Sequence, residues 1–258
     1  MMLRHSIPLA AFALATTLCG VASAQRWSSS TDLAQEPNRN PDARVEVELR
    51  MGAYHPNVDE GVGKDSTGSG PYQRIFGDSK RYMIGGEVDW QPLHIPHFAS
   101  LGIGGSIGYT SATGAAIRTD NGEPSAEDAT LTIWPFAALA VLRVDVIARE
   151  MGIPIVPFVK VGPAVAFWSS SNGRGTSRSR VDGTLGRGHT FGMVYSVGGM
   201  LLLNFLDRQA AKTFAVEQGV LRTYILIDYT ITDLRGLGQS NAMHLGDKTW
   251  NLGFAFEL

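Results

Sequence analysis

Cysteine is almost absent from this chain of 258 residues, and the one present, Cys19, lies in an apolar stretch near the start. The residues before it, Thr16-Thr17-Leu18, are not the small-residue context that lipid attachment needs. Beyond position 19 the sequence therefore offers no thiol for a disulfide or for a cysteine metal site. This absence excludes a disulfide-stapled domain.

A strong charge of either sign is also lacking. Lysine and arginine number 22 and aspartate and glutamate 24, so the formal net charge is −2. Residues 1 to 24 contain Arg4 as their one charged residue, and without them the balance becomes 21 − 24 = −3. A nearly neutral chain has no electrostatic footprint for nucleic acid, so we predict no nucleic-acid partner.

Long apolar runs are missing as well. The run from Ile7 to Cys19 is too short to span a hydrocarbon core of about 30 Å as a helix. With a basic start and an Ala-Ser-Ala ending at Ala24, residues 1 to 24 are typical of a cleavable secretory signal. Residues 25 to 43 are polar and aperiodic, which predicts a flexible periplasmic lead-in. The folded domain is expected over residues 44 to 258.

In the rest of the chain, apolar and polar residues alternate. Val45, Val47, Leu49 and Met51 share one face of a strand, and polar residues occupy the other. The same period of two recurs around residues 81–90, 101–110, 191–203, 221–231 and 249–258. The less regular segments 129–146 and 155–168 are also interpreted as strands, with β-bulges expected at Pro135 and Pro163. The pattern predicts an all-β fold of eight strands, with ten as the alternative.

The connections between these strands alternate in length. Long polar ones are expected at residues 56–79, 112–127, 169–188 and 233–247, and short ones at 92–98 and 147–153. Short turns on one side and long loops on the other are typical of a closed antiparallel transmembrane barrel. The connection near residues 207–219 instead predicts one short periplasmic helix, with Asp207 as its cap and Gly219 as its stop. A rigid turn, a partner-binding element and a pore-closing element all remain open for this helix.

The chain ends on an aromatic strand with no polar tail, Trp250 to Leu258. Asn251, Gly253, Phe256 and Leu258 resemble the C-terminal assembly signal of Gram-negative outer-membrane barrels, although the commoner last residue is Phe. The chain is similar to small OmpA-like, OmpX-like and OmpW-like barrels and to a myxobacterial outer-membrane barrel family of similar length. The resemblance implies an outer-membrane location and monomeric state. It also implies outer-membrane lipid, lipopolysaccharide and the barrel assembly machinery as partners.

A soluble sandwich or lipocalin-like barrel is the competing interpretation of the same alternation. Such a fold would turn the apolar face inward and leave the charged face in water. An outer-membrane barrel does the reverse, because lipid needs no covering layer and closure of the sheet satisfies every backbone group. The two interpretations therefore differ in which face is buried.

If the apolar face is outward, the lumen receives a set of charged side chains. They are Arg44, Glu46, Glu48, Arg50, Arg81, Glu87, Asp89, Arg143, Asp145, Lys160, Arg222, Asp228 and Glu257. Six positive and seven negative charges nearly cancel, which indicates mutual pairing, because isolated buried charges are costly. Eight strands enclose little room beyond side chains. A largely plugged lumen is therefore predicted, with a narrow conduit as the alternative.

The third long loop is rich in arginine. Arg174, Arg178, Arg180 and Arg187 are opposed by Asp182 alone, and arginine clusters suit phosphate, so a phosphate-binding loop facing lipopolysaccharide is one interpretation. A flexible solvated loop is the other, and the acidic second loop could pair with it.

Catalytic chemistry has weak support. His55, His189 and His244 lie near the outer ends of strands but share the parity of lipid-facing residues, so they are expected among headgroups. Two histidines, His55 and His244, across the closing seam are too few to predict a metal site. We predict no catalytic residue, no metal and no cofactor. The leading function is structural or surface interaction. The alternatives are a narrow conduit for small or hydrophobic solutes and an outer-membrane lipid-modifying enzyme.

The terminal strand provides the first test. A mature chain beginning at Gln25 is expected in the outer-membrane fraction, and its unboiled form is expected to migrate differently on gels from its boiled form.

Replacing Phe256 and Leu258 by asparagine removes two apolar contacts and the end of the assembly signal, so the inserted fraction should fall and protease-sensitive precursor should accumulate. Unchanged insertion of this double variant, measured by fractionation, contradicts the resemblance.

Overall fold

The computed structural model describes residues 45–62, 68–95, 98–117, 123–149, 151–172, 175–177, 183, 185–239 and 242–258. The predicted signal segment and lead-in lie outside these residues. Nine strands are described: β1 (Val45–Tyr54), β2 (Arg81–Ile95), β3 (Ala99–Ile117), β4 (Pro124–Arg143), β5 (Ile155–Asn172), β6 (Gly175–Thr176), β7 (Arg187–Leu202), β8 (Arg222–Asp233) and β9 (Asp247–Glu257). Four short helices accompany them: α1 (Val58–Val62), α2 (Pro71–Phe76), α3 (Val146–Arg149) and α4 (Arg208–Gln218).

Eight of the strands form a closed antiparallel barrel. The order is β4-β3-β2-β1-β9-β8-β7-β5, and β4 pairs with β5 to close it. The two-residue β6 is an addition at the end of β5. At the seam between the first and last strands, Val47 pairs with Phe256 and Met51 with Leu252. The predicted all-β barrel of eight strands is confirmed.

The two ends of the barrel differ. Val45, Glu257 and the β7–β8 connection lie at one end, which we call the terminal end, and the connections after β1, β3, β5 and β8 lie at the other, the loop end. The predicted helix is present as α4 at the terminal end. Asp207 caps it by accepting hydrogen bonds from the backbone N–H groups of Gln209 (3.0 Å) and Ala210 (2.9 Å), and Gly219 ends it in a left-handed conformation.

The faces of the strands follow the predicted parity. Glu46 and Glu48 are fully buried inside the barrel, whereas Leu49 beside them is 56% exposed on its outer surface. The outward side chains form an apolar band around the barrel that includes Leu49, Met51, Ile84, Val88, Trp90, Ile103, Val159, Val161, Phe167, Phe191, Tyr195, Val197, Ile227, Trp250, Leu252 and Phe254. A sandwich or lipocalin would bury this face, so the soluble interpretation is wrong.

Several local predictions are corrected. The register of β3 with β4 is unchanged across Pro135, and that of β5 with β7 is continuous through Pro163, so neither proline makes a bulge. Register shifts instead lie between Trp90 and Leu93 of β2, a stretch that contains Pro92, and between Ala115 and Ile117 of β3. Most of the predicted loop 112–127 is strand, because β3 and β4 remain paired as far as Ile117 and Pro124.

The predicted loop 56–79 contains two helices that the sequence did not predict. Asp59 of α1 accepts hydrogen bonds from the backbone N–H groups of Tyr72 (2.7 Å) and Gln73 (3.0 Å), and so holds the first turn of α2. A third unpredicted helix, α3, follows β4. Among the described residues, no helix is both long and apolar enough to cross a bilayer.

Gly192 and Gly199, both in β7, provide a matched test of the packing. A Cβ on Gly192 would collide with the carbonyl oxygen of Asp233 and lie 2.7 Å from Cα of Leu234, whereas a Cβ on Gly199 meets nothing within 4 Å. Gly192→Ala should therefore lower the free energy of unfolding by about 1 to 3 kcal/mol. Gly199→Ala should leave it nearly unchanged. Urea unfolding of both variants decides, and equal effects contradict the described packing.

Candidate functional site

The lumen at the terminal end contains an acidic surface on neighbouring strands. Glu46 of β1 pairs directly with Asp89 of β2 and with Glu257 of β9, and Glu48 pairs directly with Glu87. All five carboxylates are buried, and the most exposed side chain among them, that of Glu257, is 4% exposed. Like charges directly opposite each other on paired strands are destabilising. This surface therefore requires basic groups from elsewhere.

Lys160 supplies one from the far side of the barrel. It lies on β5, four positions around the ring of eight strands from β1, and its side chain is 1% exposed. The ammonium donates to Glu48 Oε1 at 2.7 Å and to Asp89 Oδ2 at 3.0 Å, and it also contacts Glu87. One side chain thus connects opposite walls of the barrel across the lumen.

Arg50 of β1 occupies the next position toward the loop end. Its guanidinium donates to Glu48 Oε2 at 2.6 Å, to Glu87, and to Asp228 Oδ2 on β8 at 3.2 Å. Asp228 in turn accepts hydrogen bonds from Asn251 Nδ2 at 2.6 Å and from Thr230 Oγ1 at 2.9 Å. These contacts link β1, β2, β8 and β9.

Two arginines complete the arrangement near the terminal rim. Arg143 contacts Glu46 and lies 2.6 Å from Glu257 Oε1, and Arg222 donates to Glu257 Oε2 at 2.6 Å. Tyr224 also donates to Glu257, at 3.2 Å, and its ring lies 5.6 Å from the Arg143 guanidinium carbon. We call the whole set the lumen charge layer: Glu46, Glu48, Arg50, Glu87, Asp89, Arg143, Lys160, Arg222, Asp228 and Glu257.

Two described residues of the predicted lumen set, Arg81 and Asp145, are not in this layer. Arg81 lies at the loop end of β2, where it donates to the carbonyl oxygen of Phe76 at 2.7 Å. Asp145 lies just beyond β4 at the terminal rim, contacts Ser100 and is 3.9 Å from Arg143. Arg44 lies outside the described residues. The strand parity gives the face of a residue but not its height in the barrel, which is why Arg81 was misplaced.

Sequence reasoning missed three polar members of this region. Tyr224, Thr230 and Asn251 all hydrogen-bond to carboxylates of the layer. The parity of β8 would have placed Tyr224 and Thr230 inside, because Ile225 and Ile227 between them face outward. Asn251 was predicted only as part of the assembly signal, and the structure gives its side chain a second role inside the lumen.

The loop end is filled differently, by an apolar cluster that we call the loop-end core. It joins strand residues to residues of two connections, and its buried members are Tyr54, Val58, Tyr72, Leu131, Ile133, Ala164, Ala166, Leu234 and Leu245. Tyr54 donates through its hydroxyl to the carbonyl oxygen of Leu245 at 2.6 Å. Burial raises the pKa of the Tyr72 phenol above its usual range. The connections after β1 and β8 therefore fold into the mouth of the barrel.

A cavity of about 100 Å³ lies between the lumen charge layer and the loop-end core. Arg50 and Asn251 line it on the charged side, and Tyr54, Met83 and Leu234 line it on the apolar side.

The histidines do not assemble a catalytic group in the described part of the chain. His55 packs its ring 5.4 Å from that of Tyr72, and its Nε2 lies 3.5 Å from Asp78 Oδ1. His244 lies beside Gly61 of α1. His189 lies on the outer surface, with its ring 5.2 Å from that of Phe191. The headgroup interpretation therefore fits His189 but not His55 or His244, which pack against the loop helices.

The remaining predicted site residues have these positions. Arg187 is exposed at the start of β7, and Arg174, Arg178 and Arg180 lie outside the described residues, so the phosphate-binding loop stays a prediction. In the terminal signal, Phe256 pairs with Val47 and Thr223, and the Leu258 N–H donates to the carbonyl oxygen of Val45 at 2.9 Å. The predicted signal thus forms part of the barrel seam.

Comparisons with known proteins give structural likeness only. No family model and no curated protein matches the chain. Among solved structures, it is similar to Ail, the attachment invasion locus protein of Yersinia pestis (9% identity, 83% of this chain and 97% of that chain, TM-score 0.39). It is also similar to the N-terminal β-barrel domain of Pseudomonas aeruginosa OprF (12%, 83% and 97%, 0.36) and to the outer membrane enzyme PagL (14%, 83% and 99%, 0.38). These values carry no functional argument.

The ion pairs of the lumen charge layer can be tested with a double-mutant cycle. Lys160→Met leaves three buried carboxylates without their shared cation, and a broken buried pair costs about 3 to 5 kcal/mol. Adding Glu87→Gln to it should cost less than the sum, with a coupling energy of at least about 1 kcal/mol. The free energy of unfolding in detergent measures each corner of the cycle.

The exposed pair Arg235–Asp233 serves as the matched control. Its atoms are 3.0 Å apart, but its side chains are 58% and 52% exposed. Its coupling energy should therefore lie in the range of about 0 to 1 kcal/mol. Equal coupling in the two cycles means that the lumen pair is solvated, contrary to its burial.

Proposed function

We propose that this chain is an outer-membrane β-barrel protein with a closed lumen and a structural or surface-interaction role. The location is supported by the outward apolar band, in which large side chains such as Trp250 and Phe254 remain half exposed. Water would disfavour so continuous an apolar surface, whereas hydrocarbon does not. Export through the predicted signal at residues 1 to 24 and delivery by the barrel assembly machinery belong to the same proposal.

The single observation that carries the closed lumen is the contact of Lys160 with three carboxylates on the opposite wall. Its side chain crosses the interior at the height where Arg50 and Arg143 also pair with acidic groups. Side chains held by several charge-assisted hydrogen bonds stay in place more firmly than singly bonded ones. We infer that the layer blocks the passage of hydrated ions.

The loop-end core supports the same conclusion at the other end. Tyr72 and Val58 come from the connection after β1, and Leu234 and Leu245 from the connection after β8, so the chain closes its own mouth. In the proposed orientation the loop end faces the cell exterior and the termini face the periplasm. The exposed Arg187 and its neighbouring arginines would then meet lipopolysaccharide phosphate.

A second candidate is a narrow conduit for small solutes. The cavity of about 100 Å³ favours it, because space for a small molecule already exists between the two closures. Passage would require the loop-end core to open and the charge layer to rearrange. A lipid-modifying role has less support, because in the described part of the chain His55 lies beside Tyr72 and Asp78, and His189 lies between Phe167 and Phe191. We therefore propose a non-enzymatic protein.

Conductance separates a closed barrel from a conduit. The refolded protein in planar bilayers should give no steady current above the lipid baseline. The double variant Lys160→Ala with Glu48→Ala removes two side chains that cross the lumen, so a small current should appear. Tyr72→Ala, which loosens only the loop-end core, should stay silent because the charge layer remains. A wild-type current whose ion selectivity changes in Lys160→Gln contradicts the closed lumen and supports the conduit.

A further inference from the structure

The helix α4 is capped at both ends, yet large apolar side chains on it are exposed. Leu206, just before its cap, is 70% exposed, Phe214 within it is 49% exposed, and no residue of the helix is buried. The helix has 11 residues. An isolated helix shorter than about 12 to 15 residues is marginal in water, so packing of an apolar face normally stabilises a helix of this length. The apolar face of α4 lacks such a covering layer within the chain.

The side chains of α4 are divided between two opposite faces. Ala210 and Phe214, four residues apart, share one face of the helix, and Leu206 precedes them at the same spacing. Arg208 and Lys212 lie two residues to either side of Ala210, which at about 3.6 residues per turn places both on the opposite face. An apolar stripe opposite a basic face is typical of a helix that lies in a membrane interface.

The position of α4 at the terminal end indicates what covers the stripe. Leu201 of β7 pairs with Ile225 of β8, and both side chains face outward at the terminal edge of the apolar band. The Leu203 N–H still donates to the carbonyl oxygen of Thr223 at 2.8 Å, and the exposed Phe205 follows two residues later. The exposed apolar side chains of this connection thus continue the apolar band past the ends of β7 and β8.

Hydrogen bonds of Asn204 tie the connection to the start of β8. Its side-chain amide donates to the carbonyl oxygen of Leu221 at 2.9 Å, and its side-chain oxygen accepts from the Thr223 N–H at 2.9 Å. These bonds hold α4 at the rim of the barrel, at the same end as the chain terminus Glu257.

The lumen at the terminal end is filled without α4. An apolar cluster occupies it, with the buried members Val156, Phe158, Met200, Tyr224, Leu226 and Ala255 and with Ala148 and Leu202 packed against them. In the described part of the chain no residue of α4 belongs to this cluster, and every residue of α4 is at least partly exposed. The helix therefore does not close the pore.

We propose that α4 lies in the membrane interface at the terminal end and binds anionic phospholipid there. Leu206 and Phe214 enter the edge of the hydrocarbon, and Arg208 and Lys212 pair with lipid phosphates. Within the helix these two basic residues are opposed by Glu217 alone. Each basic residue close to an anionic surface strengthens attachment about fivefold. This inference rests on the proposed outer-membrane location and adds a lipid class that a closed lumen does not require.

Spin labels on single cysteines measure the depth of α4. The predicted mature chain from Gln25 contains no cysteine, so Phe214→Cys, Val216→Cys and Leu252→Cys each introduce one labelling site. Each labelled protein is refolded into vesicles of phosphatidylethanolamine and phosphatidylglycerol, and the gel shift of the unboiled form checks folding. Oxygen, which concentrates in hydrocarbon, and a water-soluble nickel complex then report the surroundings of each label through spin relaxation.

The label at position 214 should respond several times more strongly to oxygen than to nickel. Val216 is the matched control, because it is also exposed but lies two residues from Phe214 and therefore on a different face. Its label should respond more strongly to nickel. Leu252 lies in the apolar band, and its label gives the reference value for hydrocarbon.

Charge variants test the lipid class. In the labelled Phe214→Cys protein, Arg208→Gln together with Lys212→Gln should abolish the preference for oxygen, and so should vesicles of phosphatidylcholine alone. Glu217→Gln removes the acidic residue of the same helix and should retain the preference. A preference for oxygen that survives both the double variant and phosphatidylcholine overturns the binding of anionic lipid.

The reference label separates failure of this inference from failure of the proposed function. Preference for nickel at position 214 with preference for oxygen at position 252 places the helix in water, so the inference fails and the membrane location stands. Accessibility of position 214 to neither reagent means that protein covers it, and if dilution with lipid restores accessibility, that protein is a second copy of the chain. Preference for nickel at both positions overturns the location and the inference together.

Discussion

The constraint on which this barrel depends is the neutralisation of carboxylates that face each other on adjacent strands. Glu46 opposes Asp89 and Glu48 opposes Glu87, at a place with no bulk water to screen them. In the described structure, basic side chains from other strands answer this charge, above all Lys160 from the opposite wall. An apolar residue at position 160 would remove the ammonium that Glu48, Glu87 and Asp89 share, so the acidic surface depends on closure of the ring.

The two halves of the barrel interior are both filled by side chains, but different interactions hold those side chains in place. At the terminal end, directional ion pairs fill the lumen and tie specific strands together. At the loop end, Tyr54, Leu131 and Leu234 fill it with apolar contacts that need no such direction. Salt weakens exposed ion pairs far more than buried ones, so the charged half is insulated from the ionic strength outside. The apolar half separates it from the medium beyond the loops.

Strand parity accounts for what the sequence predicted well. A period of two assigned Glu46, Arg50 and Lys160 to the interior because that period is a property of the strand itself. Which residues meet depends on strand stagger around the ring, which no single segment encodes, so Arg81 was grouped with a layer it does not reach. The hairpin of β3 and β4 was underestimated because backbone pairing continues past the apolar band, where composition alone indicates a loop. The register shifts near Pro92 and not at Pro135. Whether a missing proline N–H disturbs the ladder depends on the pairing with the neighbouring strand, which the sequence of one strand does not show.

Asn251 belongs both to the segment that resembles an assembly signal and to the finished interior. Once the barrel closes, its side chain is bonded to Asp228 and Thr230 and is 7% exposed. A receptor that reads this segment in the unfolded chain would lose access to that amide at the moment of closure. Barrel closure would therefore hide part of the segment that the receptor binds. Chains with an open barrel would stay bound to such a receptor, and chains with a closed barrel would be released.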